Sequence, residues 1–185
     1  MRIVLASASP RRQELLRNAG LDFVVQPANI EEVRIAAETA TDFAERMARE
    51  KAQAVRELGP EGWILAADTV VVVADEVLGK PADEKDASRM LRLLAGREHQ
   101  VITGVCLLGA DFEDVRSEST AVHFSPMTDA EIQDYVATGE PMDKAGAYAI
   151  QGVASRWVSK IEGDYSNVVG LPVDLVWRML REHSG

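Results

Sequence analysis

Short apolar blocks alternate along the chain with polar stretches whose hydrophobic positions return at helical spacing. Ile3 to Ala6 is an apolar run of strand size. Ser9-Pro10 then offers an N-cap followed by proline at the first helical position, with Leu15, Leu16 and Ala19 on one face and Gly20 closing the helix. Asp22 to Gln26 reads as a second strand, and Pro27 to Ala40, which has no period, as a loop. Thr41 caps a long helix to about Leu58, with Phe43, Met47, Ala48, Ala52 and Val55 in one stripe and Gly59-Pro60 ending it. Trp63 to Val73 predicts a buried strand, Asp75-Glu76 a turn into Val77-Leu78, and Gly79-Lys80-Pro81 a break.

In the second half, Asp83 caps a helix with Ala87, Met90, Leu91 and Leu94 inward, and Gly96 terminates it. Val101 to Leu108 and Val115 to Phe124 predict an antiparallel pair joined through Gly109-Ala110-Asp111. Thr128 and Glu131 form a capping box for a helix ending at Gly139. Gly139 to Gly152 reads as a glycine-rich loop, Trp157 to Ile161 as a strand, and Pro172 starts a helix through Arg181. No repeat, linker or low-complexity tract interrupts the pattern. The expectation is one α/β domain over 1–185, built around a mixed sheet.

With 46% hydrophobic and 27% charged residues, the 185-residue chain has enough apolar material to fold without metal or disulfide staples. Its 20 Lys and Arg against 30 Asp and Glu give a net charge of -10, which repels nucleic acid and anionic membrane. A polyanionic ligand therefore requires a local cationic site. Cys106 is the single cysteine and lies in an apolar run, so it reads as a small buried hydrophobe in a reducing, cytoplasmic setting. The arginine pair follows the first apolar run, the reverse of a signal peptide, and no aliphatic stretch approaches the length of a membrane span.

Three places carry chemistry. Ser7-Ala8-Ser9-Pro10-Arg11-Arg12 puts two arginines in the first turn of a helix, where cations oppose the helix dipole at about 0.3–1 kcal/mol each. Backbone N–H groups, two hydroxyls and two guanidinium forks there make a phosphate cradle, against the plainer reading of a solvated surface pair. Asp68 interrupts the apolar run Trp63 to Val73, so it needs a cation, a metal or backbone donors. Glu31-Glu32 offers carboxylate oxygens that with Asp68 suit Mg²⁺. Lys51 and Lys80, taken singly, read as solvated charges, and Asp143 to Gly152 as a loop that allows close backbone approach to a ligand. P-loop, dinucleotide-binding, nucleophile-elbow and zinc motifs are absent, and His99, His123 and His183 are scattered.

In order, Leu5-Ala6-Ser7-Ala8-Ser9-Pro10-Arg11-Arg12, Ala48-Arg49-Glu50-Lys51-Ala52, Ala67-Asp68-Thr69-Val70-Val71, Gly79-Lys80-Pro81, Gly139-Glu140-Pro141, Asp143 to Gly152 and Asn167 to Pro172 together resemble the Maf family of nucleoside triphosphate pyrophosphatases, also called septum formation inhibitor-like proteins. The resemblance spans nearly the whole chain. It implies a two-lobed α/β fold of the Maf and inosine-triphosphatase kind, with an elongated mixed β-sheet flanked by helices, a cleft between the lobes, and a homodimer. It also implies metal-dependent hydrolysis of a nucleoside triphosphate to monophosphate and pyrophosphate, with Mg²⁺ or Mn²⁺.

Carried onto matching positions, the resemblance makes Asp68 proton acceptor and metal ligand, with Glu32 beside it on the metal. Glu31 stands where many members carry aspartate, which leaves either glutamate of the pair as a candidate ligand. Ser7, Arg11, Lys51 and Lys80 would hold the phosphates, and Arg12, Thr69 and Gln151 match the trio associated with base choice in the branch acting on dTTP and UTP. A nucleotide-binding regulator of cell division and a 7-methyl-GTP pyrophosphatase are the competing readings. Carboxylates facing phosphate argue for hydrolysis over mere binding, and Gln151 for the pyrimidine branch.

Overall fold

Strand β1 (Ile3–Leu5) is buried along its length and runs parallel to β2 (Phe23–Val25) on one side and to the start of β3 (Trp63–Val73) on the other. This is a computed structural model that describes residues 2–185. Its mixed seven-stranded sheet has the order β2-β1-β3-β5-β6-β7, with β4 (Glu76–Leu78) antiparallel to the end of β3. Here β5 is Glu98–Leu108, β6 Glu113–Phe124 and β7 Val158–Glu162. The chain forms two compact units, one comprising the residues through Asp68 with 103–118 and 170–185, the other comprising 69–102 and 119–169.

In the first unit, side-chain parity sorts the core. Odd positions Ile3, Leu5, Leu65, Ala67, Val105 and Leu107 pack in one cluster with Leu16, Leu175, Val176, Met179 and Leu180. Those partners come from helices α1 (Pro10–Asn18) and α6 (Val173–His183). Even positions Val4, Ala6, Ile64, Ala66, Cys106 and Leu108 pack in a second cluster with Ala48, Ala52 and Val55 of α2 (Ala40–Arg56). Successive strand side chains point to opposite faces, so a sheet covered on both sides reads as continuous apolar runs. Each fully buried Leu, Val or Ile contributes about 1.5–3 kcal/mol relative to exposure. Gly104 of β5 lets α2 come close, because a Cβ there would lie 2.4 Å from the Ala44 carbonyl carbon and oxygen.

The expected caps are present at Ser9, Asp83 and Thr128, the last with its full capping box, but α2 begins earlier than its apolar stripe suggests. Thr39, not Thr41, is its N-cap: Thr39 Oγ1 accepts from the Asp42 N–H at 3.1 Å and donates to Asp42 Oδ2 at 2.6 Å. That reciprocal pair satisfies the orphan Asp42 donor just before Phe43, the first periodic position.

In the second unit, β3 turns through Ala74 and Asp75, both left-handed at φ 48 and 65, into β4. Helix α3 (Glu84–Leu94) and helix α4 (Asp129–Ala137) follow the expected boundaries, and β7 pairs antiparallel with the end of β6. The stretch from Gly139 to Gly152, expected to be loop, contains short 3-10 turns at Glu140–Asp143 and Ala145–Ala147, and a third at Val153–Trp157 takes in Trp157, so the strand expected from Trp157 begins at Val158. A further short helix, α5 (Tyr165–Val169), is too brief to show a period in sequence. Strands β5 and β6 also start earlier than their apolar runs, at polar Glu98 and Glu113. Among the described residues no helix is long and apolar enough to cross a membrane.

Candidate active site

Parity also decides where Asp68 points. It follows Ile64 and Ala66 on the even face of β3, the face covered by α2. On α2, Lys51 falls within the stripe that buries Ala44, Met47, Ala48, Ala52 and Val55. A carboxylate on one element and an ammonium on the other therefore meet at the edge of an apolar layer. Lys51 Nζ donates to Asp68 Oδ1 at 2.6 Å and to Glu32 Oε1 at 2.6 Å. The Asp68 side chain is only 8% exposed and that of Lys51 12%, whereas Glu32, from the loop before α2, is 39% exposed.

Burial pushes the Asp68 carboxyl above the usual carboxylate range, Lys51 pulls the other way, and the nearby charge of Glu32 adds to the rise. Glu32, rather than its neighbour Glu31, is the glutamate that shares the lysine with Asp68. Two carboxylate oxygens converging on one cation form a hard donor set of the kind Mg²⁺ accepts with one or two carboxylates and substrate phosphates.

At the N-terminus of α1, Ser9 Oγ accepts from the Arg12 N–H at 3.5 Å. The Arg12 guanidinium is fixed by its own fork: Nε donates to the Gly170 carbonyl at 2.8 Å and Nη1 to Ser7 Oγ at 3.3 Å. Burial pulls the Arg12 pKa down, and the charges of Asp68 and Glu32 pull it back up. Ser7 Oγ accepts a second bond, from the Ser9 N–H at 3.2 Å. With both lone pairs engaged, the hydroxyl hydrogen is the part of Ser7 left to donate. Arg11 is half-buried in the first turn of α1.

The first unit thus gathers Ser7, Arg11, Arg12, Glu32, Lys51 and Asp68, while Thr69, Lys80 and Gln151 belong to the second. There, Thr69 is half-buried on β3 and Lys80 is exposed in the Gly79–Pro81 turn. The Gly79 carbonyl accepts from the Gly146 N–H at 3.1 Å, joining that turn to the glycine-bearing loop. Gln151 is exposed at the tip of a turn closed by the Gly152 N–H on the Ala149 carbonyl at 3.0 Å. The Gly170 carbonyl that fixes Arg12 has no signature in sequence, since every residue carries one.

The three histidines and the cysteine stand apart from this chemistry. Cys106 is buried, which pushes its thiol up to about 12. His99 is buried against Tyr148, its Nε2 2.8 Å from the phenolic oxygen, and burial pushes its pKa down to about 4.

Comparison with known proteins places these residues in context. A family model described as Maf-like protein matches residues 2–183. The dTTP/UTP pyrophosphatase of Koribacter versatilis is 56% identical over 181 residues, 98% of this chain and 94% of that protein. The dTTP/UTP pyrophosphatase of Symbiobacterium thermophilum is 52% identical over 180 residues, 97% of this chain and 93% of that protein. Among solved structures, the Staphylococcus aureus Ham1 protein aligns with a TM-score of 0.53 over 99% of this chain and 100% of its own, at 15% identity. That last likeness is one of fold alone.

Proposed function

The chain belongs to the Maf-like protein family, and from that membership we propose that it hydrolyses nucleoside triphosphates, dTTP and UTP above others, to the monophosphate and pyrophosphate. The observation that carries the reading is the Glu32–Lys51–Asp68 assembly within the same unit as the Ser7 and Arg12 cradle. A triphosphate brings about four negative charges to a protein of net charge -10, so it needs such a local group of cations.

In this reading Ser7 donates its hydroxyl to a phosphate oxygen, and Arg11, Lys51 and Lys80 hold the remaining phosphate charge. Asp68, desolvated and raised in pKa, accepts the proton of the attacking water, a task for which a base nearer neutrality is better matched than an ordinary carboxylate. Glu32 and Asp68 would hold a divalent cation, Mg²⁺ or Mn²⁺, which when bound neutralises phosphate charge. No covalent nucleophile is needed. Gln151, with Arg12 and Thr69, reads the base: its amide offers one donor and one acceptor side, a match for the N3–H and O4 edge shared by uracil and thymine and a mismatch for cytosine.

The test is a panel of UTP, dTTP, CTP and 7-methyl-GTP with Mg²⁺, reading pyrophosphate and monophosphate. UTP and dTTP are expected to turn over fastest, because a site with fixed polar partners rejects a base that leaves them unpaired. CTP or 7-methyl-GTP as the best substrate overturns the assignment.

A further inference from the structure

The turn that carries Gln151 is pinned at both feet by side chains, the buried Tyr135 and the half-buried Glu140. Two residues before Gln151, the Ala149 N–H donates to the Tyr135 hydroxyl at 3.2 Å. Two residues after it, the Val153 N–H donates to Glu140 Oε1 at 3.3 Å. Phenol and carboxylate thus brace the turn on either side of Gln151, one at each foot.

Both braces are held firmly. Tyr135 is 1% exposed, and its ring lies edge-on to Trp157 with centroids 5.5 Å apart. Glu140 follows the left-handed Gly139 at φ 75; its N–H donates to Thr138 Oγ1 at 3.2 Å and its carbonyl accepts from Lys144 Nζ at 2.8 Å. The carboxylate presses on the turn backbone, and a Cβ on Gly152 would lie 2.0 Å from Glu140 Oε1. Its other oxygen, Oε2, is buried with no hydrogen-bond partner among the described residues. Burying a carboxylate with an oxygen left unpaired is costly, and the phosphate chemistry makes no use of this one.

We propose that Tyr135 and Glu140 are positioning residues for Gln151, fixing the direction of its amide and with it the discrimination between pyrimidine bases. The inference rests on the reading of Gln151 as a residue that recognises the base. Each side chain holds one foot of a turn whose tip must present an amide in one orientation, and loss of either foot lets the tip rotate. An amide free to rotate can pair with uracil or cytosine, so selectivity falls before turnover does.

The experiment measures kcat and KM for UTP and CTP in the wild type and in Tyr135→Phe, Glu140→Ala, Glu140→Gln and Gln151→Ala. Amide hydrogen exchange across residues 149–153 is followed in the same proteins. Gln151→Ala is expected to collapse the UTP preference. Tyr135→Phe, which keeps the ring, is expected to lower the kcat/KM ratio of UTP to CTP roughly tenfold, chiefly through KM for UTP, as for loss of a buried hydrogen bond that leaves the Ala149 N–H unpaired. Glu140→Ala should do at least as much. Glu140→Gln should recover part of it, because its amide oxygen still accepts from Val153, and it keeps the test alive if the alanine variant does not fold. Exchange at Ala149 should quicken in Tyr135→Phe and at Val153 in Glu140→Ala. If Gln151→Ala collapses the preference while folded Tyr135→Phe and Glu140 variants keep it, the positioning role is refuted. A preference untouched by Gln151→Ala removes the underlying reading of Gln151, whatever the exchange rates show.

Discussion

Lys51 Nζ lies 2.6 Å from Asp68 Oδ1 and holds Glu32 Oε1 at the same distance, so one ammonium bridges two carboxylates that would otherwise repel each other. The pair is almost buried at Asp68 and open to solvent at Glu32. Coulomb attraction is therefore stronger on the Asp68 side, where the effective dielectric is lower. Deleting Lys51 leaves Asp68 desolvated without its principal cation, a far larger change than losing a surface ion pair.

Asp68→Asn is expected to leave the protein folded, since the amide is nearly isosteric and Lys51 retains Glu32. Turnover should fall by roughly 10²–10⁴ through loss of a general base. Pyrophosphate release under saturating Mg²⁺ reads the result, and retention of more than a tenth of wild-type rate would show that Asp68 is not the proton acceptor.

Arg12→Lys tests the fork rather than the charge. The guanidinium bonds the Gly170 carbonyl and Ser7 Oγ with two different nitrogens, a geometry that one ammonium on a flexible stem does not reproduce. KM for UTP should rise by roughly tenfold, with melting temperature changed little. Steady-state kinetics beside a thermal melt separate the two, and an unchanged KM would remove Arg12 from the binding machinery.

Gly104→Ala places a methyl group 2.4 Å from the Ala44 carbonyl carbon and oxygen, and backbone cannot move aside as a side-chain tip can. Helix α2 must shift away from the sheet, at about 1–3 kcal/mol. Denaturant unfolding should show a lower midpoint with an unaltered slope. Because α2 also carries Lys51, activity at a temperature where the variant is fully folded should fall as well.

His99 makes stability depend on pH. Its folded pKa of about 4 lies below the ordinary 6.5, so the unfolded chain takes up a proton in that interval and the folded one does not. The contribution is present in full above pH 6.5 and is lost as pH falls toward 4, amounting to about 3 kcal/mol. His99→Gln, which has no titrating ring, should flatten the fall in unfolding free energy between pH 6.5 and 4.5. Chemical denaturation at the two pH values measures it, and equal slopes in variant and wild type would contradict the assignment.

Much of this architecture is legible in sequence because the strongest signals are local. Ser9-Pro10, Asp83 and the Thr128–Glu131 box each satisfy a helix end from within four residues, and the apolar stripe of α2 follows its own period. Thr39 is harder to see, since Thr41 stands nearer the first periodic residue and only the return bond from Thr39 to Asp42 distinguishes them. Asp68 stands out as a charge in an apolar strand. Lys51 reads alone as a solvated charge, yet its place among Ala44, Met47, Ala48, Ala52 and Val55 marks it as a cation in a buried stripe. The bond from Arg12 to Gly170, like those from the Ala149 and Val153 N–H groups to Tyr135 and Glu140, depends on long-range or turn geometry that no spacing rule encodes.

The division of the first unit's core by strand parity has a consequence for how this protein can change over time. Ile64, Ala66 and Asp68 share a face, and Leu65 and Ala67 the other. Replacing one aliphatic residue by another along β3 alters packing by small increments that neighbours can absorb. Inserting or deleting a single residue before Asp68 is different in kind: it would turn the carboxylate toward α1 and α6 and bring an aliphatic side chain to Lys51. Such a change loses the core arrangement and the active site in one event, whereas a shift of two residues restores the facing. The strand should therefore tolerate wide variation in which apolar residues it uses, but only even changes in how many separate them from Asp68.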